Sequence, residues 1–152
     1  MQFLFWLLVL SCVYCPGVVH GADHLSATTL GALQKQKLIY VSTKRANGEW
    51  SSRSAVWCVY EKDAVYFITA PSSHKARRIE RGSPAQLSLG TDGEEVLSFA
   101  AQIVKDPAII DRVDRAYRRK YWAAWFTYWA IPIAGRIESG KRVVVQVQAT
   151  EQ

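Results

Sequence analysis

The run Ala64–Gly82 does most to limit what this chain can fold into. Ala64-Val65-Tyr66-Phe67-Ile68-Thr69-Ala70 is β-branched and aromatic, the make-up of a buried strand. Pro71-Ser72-Ser73 turns the chain, and His74 to Arg81 reads as a short cationic helix closed by Gly82. Ser72 or Ser73 supplies its N-cap. The free N–H groups of the first turn then lie beside a serine hydroxyl and the Lys75 ammonium, a corner suited to a phosphate. An ordinary strand–turn–helix with a solvated basic face is the plainer reading of the same residues.

The remaining periodicities place this unit in a mainly β domain. Leu25 to Gln36 predicts a first helix, capped by Ser26, with Leu30 and Leu33 facing inward. Lys37–Thr43, Arg53–Tyr60, Ala64–Ala70, Ala85–Gly90, Glu94–Val104 and Arg142–Gln148 predict strands. Asn47-Gly48, Glu61-Lys62-Asp63 and Thr91-Asp92-Gly93 supply turns. Asp106 and Pro107 open one long helix, with Ile109, Ile110, Val113, Tyr117, Tyr121, Ala124 and Trp125 on its inward face; Pro132 stops any continuation. Of 152 residues 49% are hydrophobic, enough for one domain with a real core. Six strands, a long helix and small helices predict a compact antiparallel barrel with helical additions.

The first 22 residues are of another kind. Phe3 to Val19 carries no charge and has the length of a short membrane span or a long signal-peptide core. No Lys or Arg precedes it, so the usual basic start of a signal peptide is missing, although Gly21 and Ala22 could form a cleavage site. If the segment spans uncleaved, Lys35 and Lys37 on its C-terminal side favour a body on the cytoplasmic side. Export after cleavage is the alternative. Residues 1–22 are therefore read as a leader or anchor, and 23–152 as the folded domain.

The net charge of +6 gathers in two places, Lys75 with Arg77, Arg78 and Arg81, and Arg112 with Arg115, Arg118, Arg119 and Lys120. Asp111 precedes Arg115 by four residues and Asp114 precedes Arg118 by four, the spacing of helix-surface pairs. That favours a structural role for the second group over a nucleic-acid surface. Cys12 and Cys15 lie inside the apolar leader, and Cys58 sits in an apolar run and is expected to be buried and inert. The histidines form no cluster, and no metal-ligand spacing, P-loop, dinucleotide fingerprint or nucleophile turn is present. No acid–base pair stands out, so no catalytic residue is assigned.

The ordered set Trp50-Ser51-Ser52-Arg53-Ser54-Ala55-Val56-Trp57, Val65-Tyr66-Phe67-Ile68-Thr69, Ser73-His74-Lys75-Ala76 and Gly82-Ser83-Pro84-Ala85-Gln86-Leu87 resembles the split-barrel flavin-binding proteins of the pyridoxamine 5'-phosphate oxidase type. Asp114 to Tyr121 is similar to the helix of the branch that includes deazaflavin (F420) users. The resemblance runs from about Leu25 to Ala149. It implies an α+β fold around a six-stranded antiparallel split β-barrel of the FMN-binding type.

For the site, the resemblance implies a cofactor phosphate held by Arg53, Ser73 and Lys75. Ile68 and Thr69 would meet the isoalloxazine ring through their backbone, and Ser54, Ala55, Val56 and Trp57 would line its other edge. His74 stands where some members carry Arg, Ala55 replaces a common Pro, and the ring-contacting Gln of some members has no match in Glu94–Ser98. Trp57, Tyr66 and Trp50 are candidate walls for the ring, although each taken singly is more simply a core residue. The cofactor implied is FMN, with F420 as the alternative. The activity implied is an oxidoreductase acting on a small organic substrate, and the assembly a homodimer with the flavin between subunits. The alternative is a non-catalytic carrier of flavin, haem or another ligand. A flavin supplies its own hydride chemistry, so the protein need only bind, orient and tune it. The Trp-rich stretch Tyr121–Trp129 could serve as a subunit interface, a substrate wall or a membrane-interface patch.

Overall fold

Alternation along β3 explains the architecture. In the computed structural model, which describes residues 27–89, 97–122 and 133–148, β3 spans Ala64–Thr69 and its first four residues are all buried. Val65 and Phe67 point into one core, while Ala64 and Tyr66 point into another on the opposite face. A strand buried on both faces has no need of polar alternation, which is why this run is so uniformly apolar. The elements run α1 (Ala27–Lys35), β1 (Leu38–Thr43), β2 (Ser54–Glu61), β3, α2 (His74–Glu80), β4 (Ala85–Ser88), β5 (Leu97–Val104), α3 (Pro107–Lys120), α4 (Ile133–Glu138) and β6 (Val143–Gln148).

The strands close into an antiparallel barrel in the order β1-β2-β3-β6-β5-β4. The predicted six-stranded split barrel is the fold. Its split is visible in the register. β2 pairs with β1 through Ser54–Trp57 and then with β3 through Cys58–Glu61. β5 likewise pairs with β4 through Leu97–Phe99 and with β6 through Ala100–Val104. Each of these two strands changes partner at mid-length.

One core fills the barrel, with Ile39, Val41, Val56, Cys58, Val65, Phe67, Leu87, Phe99, Val145 and Val147 facing inward and Leu33 and Ile79 joining from α1 and α2. The second core lies between the outer face of β2, β3 and β6 and the helix α3, whose Ile110, Val113, Ala116 and Tyr117 form its apolar side. Asp106 caps α3 by accepting from the Ala108 N–H at 2.8 Å, and Pro107 fills the first position, as the sequence predicts. Of the two acid–base spacings on α3, Asp114–Arg118 closes at 2.9 Å.

Two sequence expectations need correction. The sequence runs the inward stripe of the long helix on to Trp125, but α3 ends at Lys120; Tyr121 is its C-cap and does face inward, buried in the second core. Directly after Pro132, where no element was predicted, α4 forms, and its Ile137 packs on the second core. The leader with its candidate span 3–19, the Thr91–Gly93 turn, Ala124, Trp125 and Trp129 lie outside the described residues. Among the described residues no helix is long and apolar enough to cross a membrane.

Candidate functional site

The partner exchange on β2 creates an opening. Where Ser54–Trp57 pair with β1, they have left β3, and the end of β3 pairs instead with β6 through Ile68↔Val144 and Thr69↔Val143. The first half of β2 and the last residues of β3 therefore diverge, and a cleft of about 380 Å³ opens between them. Ala55, Val56 and Trp57 line one side, Ile68, Thr69 and Ala70 the other, with Lys75, Arg142 and Tyr117 completing it. Small-molecule sites typically enclose about 300–1,000 Å³ and combine apolar walls with a few fixed polar groups.

Tyr117 closes the apex of the split. Its hydroxyl donates to the Trp57 carbonyl at 2.6 Å and stands 3.3 Å from the Tyr66 carbonyl, so it bridges the strands where they part. Burial pushes this hydroxyl well above the ordinary tyrosine range, and it stays protonated as a donor. Trp57 is held flat by a second tyrosine, with its ring 4.9 Å from that of Tyr121 and 7° from parallel. The wall is thus backed by a parallel aromatic ring.

Two cations border the cleft. Lys75 lies in the first turn of α2 and is half-buried; desolvation draws its ammonium below the usual lysine value. Arg142 stands immediately before β6 and is brought here by the β3–β6 ladder. The cap of α2 is Ser73, whose hydroxyl accepts from the Ala76 N–H at 3.2 Å and shares a hydrogen bond with Thr69 Oγ1 at 3.1 Å. This ties the helix start to the end of β3. Gly82, at φ +84°, lets the chain turn out of α2, its N–H reaching the Ile79 carbonyl at 2.9 Å.

The structure thus gathers six of the ten sequence-derived candidates, Ala55, Val56, Trp57, Ile68, Thr69 and Lys75, around one cleft. Ser73 braces it from behind. Ser54 turns its hydroxyl to the Val41 carbonyl at 3.2 Å. Arg53 is exposed just before β2, and His74 lines a different groove. Of the aromatic walls suggested by sequence, Tyr66 is buried in the second core and Trp50 bridges to Lys44, so only Trp57 reaches the cleft. Arg142 and Tyr117 were not anticipated. A buried tyrosine hydroxyl needs a partner, which is the one signal Tyr117 carried; Arg142 carried none, because strand pairing decides its place. Cys58 is buried as expected, and burial pushes its thiol up. Among the described residues no cluster of metal-binding side chains occurs.

The sequence profile of pyridoxamine 5'-phosphate oxidase matches residues 26–152. The chain belongs to the pyridoxamine 5'-phosphate oxidase family. Members of this family bind flavin or haem. Solved structures share the fold at low identity. A conserved hypothetical protein from Mycobacterium tuberculosis is 18% identical with a TM-score of 0.60, covering 83% of this chain and 81% of that one. The haem storage protein HutZ from Vibrio cholerae is 13% identical with a TM-score of 0.60, over 84% and 92%. The flavocytochrome Anf3 from Azotobacter vinelandii is 15% identical with a TM-score of 0.57, over 83% and 64%. No curated protein matches the chain.

Proposed function

We propose that this member of the pyridoxamine 5'-phosphate oxidase family is a flavin-dependent oxidoreductase acting on a small organic substrate, with FMN as cofactor and F420 as the alternative. The observation that carries the reading is the cleft at the barrel split, where a stacked indole wall and two diverging strand edges meet Lys75 and Arg142. A flat heterocycle with an edge of alternating donors and acceptors suits such strand ends, and a phosphate suits the cations. When bound, the flavin supplies the hydride chemistry. The protein's residues have the simpler tasks. Trp57 and Ile68 flank the ring, the backbone of Ala55–Trp57 and Ile68–Ala70 orients its edge, and Lys75, Arg142 and the nearby Arg53 hold the phosphate. Ser73 and Ser54 brace that corner, while His74 faces the other groove.

Replacement of Lys75 and Arg142 by Gln is the direct test. A charge-assisted hydrogen bond contributes roughly 1.5–3 kcal/mol, so each loss weakens FMN binding about tenfold or more. Fluorescence titration with FMN and F420, and mass spectrometry of the co-purified small molecule, read the result. Failure of the wild-type protein to bind either at micromolar concentration overturns the assignment. A carrier role for flavin or haem is the second reading. It is favoured by the cleft's lining, whose single hydroxyphenyl proton donor is already committed to the Trp57 carbonyl. Stable binding without turnover on any electron acceptor selects it.

The proposed assembly is a homodimer attached to the membrane through residues 3–19, with its body on the cytoplasmic side. Sedimentation of detergent-extracted protein at twice the 17.1 kDa chain mass is expected. A C-terminal epitope cut by external protease in intact cells would reverse the orientation.

A further inference from the structure

Between α2 and the loop that follows β1 lies a second concavity that shares no lining residue with the cleft. His74, Arg77, Arg78 and Arg81 recur at i, i+3, i+4 and i+7 and so occupy one face of this helix, while Ala76 and Ile79 are buried on the other. Facing them is the β1–β2 loop, with Arg45 and Asn47. Together they line a groove of about 520 Å³.

Both walls are braced. The loop closes on itself through the Arg45 N–H to the Glu49 carbonyl at 2.7 Å, with Gly48 at φ +85° making the turn. The Ser83 hydroxyl donates to the Lys44 carbonyl at 2.8 Å, and Arg78 Nη1 donates to Thr43 Oγ1 at 3.2 Å, so loop and helix are tied together at the base of the groove.

The groove concentrates cationic side chains, most of them without a carboxylate partner among the described residues. On α3, Arg118 and Arg119 each meet a carboxylate, Asp114 at 2.9 Å and Glu61 at 3.3 Å, whereas Arg112 and Arg115 form no ion pair among the described residues. In the groove Arg45 has Glu49 at 3.6 Å, and among the described residues no carboxylate forms an ion pair with Arg77, Arg78 or Arg81. Like charges at helical spacings of three and four repel, so the stripe works against helix stability unless an anion lies across it. Guanidinium groups match phosphoryl oxygens in pairs, and a concave wall focuses their field. The cations gather on one short helix face and one loop, a span that suits a short multivalent anion.

We propose that this groove binds a linear oligophosphate, free or as the phosphate chain of a nucleotide, independently of the cleft. The test is calorimetric titration of the full-length protein with tripolyphosphate and, in parallel, with ATP, at low and high salt. Saturable binding that weakens with salt is expected. The double substitution Arg77→Gln, Arg81→Gln, at two exposed positions, is expected to weaken it at least tenfold while leaving FMN titration of the cleft unchanged. Tighter binding of ATP than of tripolyphosphate identifies a nucleotide source, and equal binding a free chain; both support the site. Absence of tripolyphosphate and ATP binding, or equal affinity in the double variant, overturns it. So does binding of duplex DNA or anionic vesicles through these arginines without binding of either phosphate probe.

Discussion

The Tyr121 hydroxyl accepts from the Cys58 N–H at 3.1 Å and lies 2.6 Å from the Lys37 carbonyl and 2.8 Å from the Cys58 carbonyl. It stands where β1 runs out, one residue beyond the last β1–β2 pair, Leu38↔Trp57. A phenol thus takes the place of a strand neighbour, and the same ring backs the Trp57 wall of the cleft. Tyr121→Phe leaves those buried backbone groups without their partner at a cost of about 1–3 kcal/mol. Urea denaturation is expected to show a lower midpoint with an unchanged slope. An unaltered midpoint would mean that water serves the backbone as well as the hydroxyl does.

At the scale of elements, the β2–β3 hairpin shows how a predicted turn can still hold strain. Glu61 pairs with Ala64, leaving Lys62 and Asp63 as a two-residue turn with φ of +47° and +60°. That conformation favours Asn and Gly. Asp63 is partly compensated, since its carboxylate accepts from the Tyr60 hydroxyl at 3.0 Å, whereas Lys62 gains nothing comparable. Lys62→Asn is expected to raise stability by roughly 0.5–1 kcal/mol, given a left-handed cost of about 1–2 kcal/mol for an ordinary residue. Lys62→Val is expected to lower it. Thermal denaturation of the pair checks the order, and a reversed order would show that the turn is not the determinant.

For the whole molecule, burial of several ionisable groups links stability to alkaline pH. Cys58, Tyr117 and Tyr121 all have values raised by desolvation, so the folded state keeps protons that the unfolded chain gives up. Their contribution is complete below the ordinary values, 9.0 for the thiol and 10.0 for the phenols, and falls as pH rises towards the raised ones. Lys75 and Lys120, drawn down by burial, act in the opposite sense just below 10.5. The difference between wild type and Cys58→Ala isolates the thiol. The wild type is expected to lose stability relative to the variant from about pH 9 upward, measured by urea unfolding across pH. Parallel pH profiles would show that the thiol ionises alike in both states.

Local chemistry alone determined a good deal of this protein. Strand composition located the strands to within a few residues, Asp106-Pro107 marked the start of α3, and the Ser72-Ser73 pair bracketed the start of α2, because capping acts over three or four residues. The ordered motifs also brought six cleft residues to notice, since they lie on two sequence-adjacent strands and the helix that follows. Tertiary structure decided the rest. The split follows from β2 and β5 exchanging partners, and Arg142 reaches the cleft through a ladder that joins residues far apart in the chain. Tyr66 and Trp57 look alike in sequence, yet one is sealed in a core and the other lines an opening. A residue's type sets what it can do, but long-range pairing sets which neighbours it meets, and no local pattern records that.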